Sequence, residues 1–471
     1  RLLPADVLAL LAELSQPSFP FSAIPTDRMK VELPLLDPSK SAYTGQFPLT
    51  PEDRAEVKAQ LGQLLLEGKI EPCGPGPYNS PLFLHREASK SRLVFDYRNI
   101  NVLLRTMQYP LPRIDSLLRA AARYSLFSCL DIKSAFHQLA LAPASKQLTA
   151  FSFGGRRYQW RCLPFGLNLA PSYFHYFLSE LFADLPQVFV YVDDILIAAR
   201  DVAEHHDLLR TVLGRLKAQG LIIKDEKSRL CTPTIQFLGH ELSHRRIRPL
   251  ESYRLKLSGL QRPTTVLQTQ RWLGALNWVR PFIKDASRIL APIFDLLRSR
   301  TSKVQWNADC ERANTAVMRQ LEDCPALAPL EADSELFLES DASDKGCGAV
   351  LWQQSKRGKS IIGFFSKAWK SPKSAPEMEM RGILLAMRHF RALVGQRHVQ
   401  VLTDHKPLEG DIGAKTSCNI QKRLRWLEEL QHYNLSITYI RGVQNPMADW
   451  LSRDGVRAAP LPVRTLELPG A

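Results

Sequence analysis

Three aspartates offer the most direct chemistry in this chain. Asp193 and Asp194 stand side by side between two apolar runs, Gln187-Val188-Phe189-Val190 before Tyr191-Val192 and Ile195-Leu196-Ile197-Ala198 after. Asp131 closes a third run, Tyr124-Ser125-Leu126-Phe127-Ser128-Cys129-Leu130. Neighbouring carboxylates in apolar surroundings cost several kcal/mol unless a cation offsets them. Three of them could hold two divalent ions roughly 3.5–4 Å apart, an arrangement that activates a hydroxyl and stabilises a departing pyrophosphate. Mg²⁺ suits such a site because it takes carboxylates together with substrate phosphates. Read singly, Asp193-Asp194 is also compatible with an acidic turn in water, and Asp131 with a helix cap.

The elements needed to gather these acids are legible. β-Branched and aromatic residues on both sides of Tyr191–Asp194 predict a strand-turn-strand hairpin with the acids at its tip. A strand ending at Asp131 and turning into a helix would set the third carboxylate beside that tip. Further helices are expected at 4–14, at 50–68, where Thr50-Pro51-Glu52-Asp53 supplies a cap, a proline and early acids, and at 265–280 and 291–298.

Three further blocks accompany the acids: Leu130-Asp131-Ile132-Lys133-Ser134-Ala135-Phe136-His137-Gln138, Leu163-Pro164-Phe165-Gly166-Leu167 with Ala170-Pro171, and Phe237-Leu238-Gly239-His240. In this order and spacing they resemble the reverse transcriptase of gypsy-type (Metaviridae) LTR retrotransposon polyproteins. The resemblance implies an α+β right-hand polymerase with fingers, palm and thumb. It makes Asp131, Asp193 and Asp194 the catalytic, metal-binding carboxylates. Phe136 becomes the ring beneath the incoming sugar, excluding a 2′-hydroxyl, and Arg92 the fingers arginine that holds the triphosphate, a task its planar fork suits. Phe165, where retroviral enzymes carry Gln, points to the gypsy type. Phe237, Leu238, Gly239 and His240 match the primer grip. The fingers loop His85-Arg86-Glu87-Ala88-Ser89-Lys90 departs from the family's lysine run and Asp-Gly turn. Arg86 is favoured there as second phosphate contact, with Lys90 in reserve.

A second set of acids follows. Asp341 ends an apolar strand run, Glu379 lies in a helical stretch, Asp404 ends another strand run, and Asp449 lies in Asn445-Pro446-Met447-Ala448-Asp449. Together they resemble the α/β ribonuclease H-like domain of the same elements, and carry over as its four catalytic, metal-binding residues. Glu379 is preferred to Glu377 because it stands four residues before Ile383, although the family's Glu-Leu-Leu-Ala-Ile reads Glu-Met-Arg-Gly-Ile here. The loop Tyr439–Gln444 lacks the histidine that cellular and retroviral relatives carry, and His405 is a weaker substitute.

Composition agrees. The 471 residues suffice for several domains, and Lys+Arg 62 against Asp+Glu 47 gives net charge +15, suited to a phosphate backbone. The eight cysteines form no CxxC pair, which argues against zinc and disulfides and for a reducing compartment. No 18-residue apolar stretch or signal peptide is present, so no membrane association is expected. A start at Arg1 suggests a segment cut from a polyprotein or a trimmed chain.

The expected organisation is an N-terminal lead-in at 1–43, fingers and palm at 44–242, thumb and linker at 243–328, ribonuclease H at 329–455 and a flexible tail at 456–471. The resemblance implies an RNA-directed DNA polymerase with ribonuclease H. Mg²⁺, two ions per active site, or Mn²⁺ in its place, would be the cofactor. RNA template, DNA primer/template, RNA·DNA hybrid and dNTPs would be the partners, with a homodimer on substrate left open. The location would be cytoplasmic, within virus-like particles. The competing readings are a decayed or domesticated nucleic-acid-binding protein, which loss of a carboxylate would mark, and a pararetroviral polymerase. All seven matched carboxylates are intact.

Overall fold

Thr50 starts its helix as the sequence requires: its Oγ1 accepts the Asp53 N–H at 3.1 Å and Pro51 fills the first turn. The computed structural model describes residues 3–15, 20–25, 28–87, 90–107, 109–299, 301–342, 346–369, 375–403, 425–426 and 428–440. They form two compact units, Arg1–Leu117 with Tyr124–Phe237, and Leu118–Arg123 with Leu238–Ala471.

The first unit contains helices α1 (Ala5–Leu14) and α2 (Pro51–Leu66), then a hairpin of β1 (Leu82–Glu87) and β2 (Lys90–Phe95). After these come β3 (Leu126–Asp131), α3 (Ala170–Leu181), β4 (Val188–Tyr191), β5 (Asp194–Ala199), α4 (Val202–Ala218) and β6 (Arg229–Thr232). The sheet order is β6-β3-β5-β4, all neighbours antiparallel. β5 is central, and Ile195 to Ala199 are each 0% exposed, which explains an apolar run without alternation. Ile195, Ile197 and Ala199 share a core with Leu209, Val212, Leu213 and Leu216 of α4. Each buried Ile contributes about 1.5–3 kcal/mol. Alternation sends Asp194 and its partner Asp131 to the opposite face, away from that helix.

In the second unit β7 (His240–Ser243) and β8 (Arg246–Pro249) form a hairpin. Helices α5 (Val266–Asn277) and α6 (Ala308–Glu322) share a core of Trp272, Leu273, Leu276, Cys310, Val317 and Leu321. Then come β9 (Glu335–Ala342), β10 (Gly346–Ser355), β11 (Gly358–Ala368), α7 (Ala375–Val394), β12 (Val399–Thr403) and β13 (Leu435–Tyr439). Their sheet runs β11-β10-β9-β12-β13, antiparallel through β9 and parallel from β9 to β13. Residues Leu118–Arg123 join this unit through Arg119, 8% exposed, whose guanidinium donates to Ala328 O at 3.1 Å and Ile362 O at 2.8 Å.

The helix expected at 265–280 is α5, capped by Thr265 and ending at Asn277, and the expected helix at 291–298 is an α-turn followed by a 3₁₀ turn. Helix α6 is an element the sequence reading did not anticipate.

Candidate active site

β3 and β5 run antiparallel in a register that makes Asp131 and Asp194 direct cross-strand partners. Asp194 also pairs with Tyr191, leaving Val192 and Asp193 as a two-residue turn. Val192 has φ +57° while Asp193 does not have a positive φ, the pattern of a type II′ turn. For a β-branched residue this conformation is strained, and such strain is held by surroundings that over-determine it. One such hold is buried His175 on α3, whose Nδ1 accepts the Val192 N–H at 3.3 Å. Burial lowers the His175 pKa, which favours the neutral acceptor form.

The acids bear the electrostatic cost that the sequence implies. Burial, then Asp193 and Asp131, push the Asp194 carboxyl up to about 6. Desolvation and, to a smaller extent, Asp131 raise the more open Asp193 as well. Lys227 opposes both shifts, with its Nζ 3.5 Å from Asp131 Oδ2. Nothing in the motifs points to this lysine, which reaches the site from a turn 96 residues beyond its partner in the chain. Carboxylates that repel one another in partial burial fit the divalent ions proposed for them; the three do not all close within 4.8 Å of one another, as a single-ion cage would.

Beside the sheet, a cleft of about 480 Å³ is lined by Arg92, Phe95, Ser134, His137, Trp160 and Phe165, among others. The Phe136 and Phe165 rings lie 5.0 Å apart. Phe136 sits on a 3₁₀ turn, Ala135–Gln138, entered through Ser134 at φ +45°. Gln138, fully buried, anchors that turn: its Nε2 donates to Ile222 O at 2.9 Å and its Oε1 accepts the Ile222 N–H at 2.8 Å.

Arg86 does not join this group. His85 pairs with Arg92 and Arg86 with Ser91, so Arg86 and Arg92 occupy opposite faces of their hairpin. Arg86 is instead 2.5 Å from Asp53 at the start of α2. The Lys90 side chain lies outside the described residues.

Phe237 ends a strand of the first unit, and Leu238 and Gly239, with φ +45° and +72°, form a tight turn before His240. A Cβ on Gly239 would stand 3.0 Å from the Trp278 ring, so close approach and backbone angle both require glycine. His240 Nδ1 lies 2.8 Å from Leu238 O, and its ring is 5.1 Å from Trp278.

Asp341 lies near the end of β9, and Glu379, 6% exposed on α7, accepts the Ala342 N–H at 3.1 Å through Oε1. Gly382 permits this approach, since a Cβ there would stand 3.1 Å from Cys347 Cβ. The altered family pattern thus coincides with a close helix-sheet contact. Asp404, His405, Asp449 and the loop after Ile440 lie outside the described residues.

Residues 84–242 match the family model for reverse transcriptase (RNA-dependent DNA polymerase), and residues 331–433 match that for the RNase H-like domain found in reverse transcriptase. The fold is therefore that of a reverse transcriptase domain followed by a ribonuclease H-like domain. Similar proteins include the retrovirus-related Pol polyprotein from transposon 412 of Drosophila melanogaster, 32% identical over 438 residues and 90% of this chain. The transposon Tf2-3 polyprotein of Schizosaccharomyces pombe is 27% identical over 446 residues and 93% of this chain. The chain belongs to the reverse transcriptases of gypsy-type LTR retrotransposons. It spans about a third of those relatives, 35% and 33% of their length.

Among solved structures, a foamy viral protease-reverse transcriptase in complex with double-stranded DNA matches with TM-score 0.82 at 20% identity, over 93% of this chain and 78% of that one. The foamy viral protease-reverse transcriptase in complex with an RNA/DNA hybrid gives 0.77, also at 20%, over 94% and 60%. The right-hand polymerase fold with a ribonuclease H-like domain follows from these matches. Domains of both kinds use divalent metal ions.

Proposed function

We propose that this chain copies RNA and DNA templates into DNA from a primer and cleaves the RNA strand of RNA·DNA hybrids, as the polymerase segment of a retroelement polyprotein. The observation that carries the reading is the cross-strand pairing of Asp131 with Asp194 beside the strained Val192-Asp193 turn. Asp131, Asp193 and Asp194 would hold two Mg²⁺ ions, or Mn²⁺, and Asp341, Glu379, Asp404 and Asp449 another two. When bound, such ions activate the attacking oxygen and offset charge on the leaving group.

The protein's own groups do the positioning. Arg92 would grip the triphosphate from the cleft wall, and Phe136, packed on Phe165, would form the floor beneath the deoxyribose. Phe237 to His240 would seat the primer end. Net charge +15 supports nucleic acid as partner, and the foamy viral proteins bound to double-stranded DNA and RNA/DNA hybrid support the same class. Action inside cytoplasmic virus-like particles is part of this reading. Primer extension with dNTPs and Mg²⁺ on RNA and DNA templates, run beside cleavage of a labelled RNA·DNA hybrid, tests it. Both activities are expected and both should stop on chelation; extension or cleavage that persists without divalent metal would contradict it.

A further inference from the structure

Behind the catalytic face, His205 and His206 of α4 and Cys231 of β6 bring one donor atom each to within 4.8 Å of one another, although 24 residues lie between His206 and Cys231 in the chain. No other His, Cys, Asp or Glu group among the described residues gathers three donors so tightly. His205 is 0% exposed, and His205 Nδ1 and His206 Nε2 are both buried without a hydrogen-bond partner. Buried nitrogens left without a partner are costly.

The surroundings orient these donors. Ser128 on β3 lies 2.9 Å from His205 Nε2, and the same hydroxyl accepts the Cys231 N–H at 2.9 Å. When Nε2–H donates to Ser128, the lone pair of His205 is left on Nδ1, the way a metal-bound imidazole is usually held by its other nitrogen. The register explains the cysteine. Arg229 pairs with Cys129 and Thr232 with Phe127, so Leu230 and Cys231 together oppose Ser128 alone. Bulges of this kind re-aim side chains, and Cys231 is held at φ +54°, a conformation that non-glycine residues seldom adopt.

We propose that His205, His206 and Cys231 form a three-ligand site for a transition-metal ion of the Zn²⁺ class. Two imidazoles and a thiolate select borderline and soft ions over Mg²⁺. In a tetrahedral zinc site the donor atoms stand about 3.3–3.6 Å apart, within reach of small side-chain rotations here, and a water would complete the set. Bound metal would pin the first turn of α4 to the bulge of β6, on the helix side of the sheet whose other face carries Asp131 and Asp194. The absence of a CxxC pair, which argues against zinc at the level of sequence, does not bear on a site that a bulge assembles from distant residues.

The test uses the whole chain, stripped by chelator and kept in excess Mg²⁺ so that the carboxylate sites are filled, then titrated with Co²⁺. One equivalent should bind with a thiolate-to-cobalt charge-transfer absorption, and Zn²⁺ should displace it and raise the melting temperature. Cys231→Ser should abolish the absorption, and His206→Gln should weaken Co²⁺ binding at least 10-fold. Both replacements fall at partly exposed residues, and an unchanged metal-free melt would establish that each variant folds. Cys73→Ser should keep the band. A band that survives Cys231→Ser, or a wild-type chain that takes up no Co²⁺ under these conditions, would overturn the proposal.

Discussion

Asp194 is a residue whose function opposes stability. Its folded pKa of about 6 exceeds the ordinary 3.8, so the metal-free folded protein retains this proton over roughly pH 4–6 while the unfolded chain has lost it. Stability should therefore fall as pH rises through that window, the reverse of a salt-bridged carboxylate. Asp194→Asn is expected to stabilise the metal-free protein at neutral pH by about 1–2 kcal/mol, discounted for partial exposure, while abolishing extension; thermal melts in chelator check it, and a destabilised variant would contradict it. Phe136→Val should admit ribonucleotides by removing the ring from the sugar's floor, measured as the ratio of dNTP to rNTP incorporation. Unchanged selectivity would remove Phe136 from that role. The acids were legible in sequence because adjacent carboxylates in apolar runs demand explanation. Lys227 and His175 were not, because a single lysine or histidine means little until folding supplies its partner.

The Tyr191–Asp194 hairpin shows what an element adds. Sequence gives the two strands and the acidic tip, but not the positive φ of Val192 or the imidazole that holds it. His175→Phe leaves the Val192 N–H without this acceptor and should destabilise the first unit by about 1–3 kcal/mol. Extension should slow while hybrid cleavage is spared, and equal loss of both would deny the hairpin-specific role. The cap, proline and early acids marked the helix that starts at Thr50. Helix α6 went unmarked although its inward positions Cys310, Ala313, Val317 and Leu321 recur at helical spacing. Counting along the fingers loop does not show which face Arg86 takes; the His85–Arg92 register sets it opposite Arg92. The bulge at Cys231 is equally silent in sequence, since register belongs to two strands at once.

Across the molecule, the order of motifs along the chain carries the domain sequence, and the two family matches follow that order. What the motifs do not disclose is that Leu118–Arg123 packs with the second unit through Arg119, a contact spanning 243 residues to Ile362. Under the proposed function, one chain carries two separate carboxylate centres, one for synthesis and one for RNA cleavage. The most direct test of this is to assay primer extension and hybrid cleavage in parallel for Asp193→Asn and Asp404→Asn, each confirmed folded by its melting curve. Asp193→Asn should lose extension and keep cleavage, and Asp404→Asn should do the reverse; loss of both activities in either folded variant would refute the separation of the two centres.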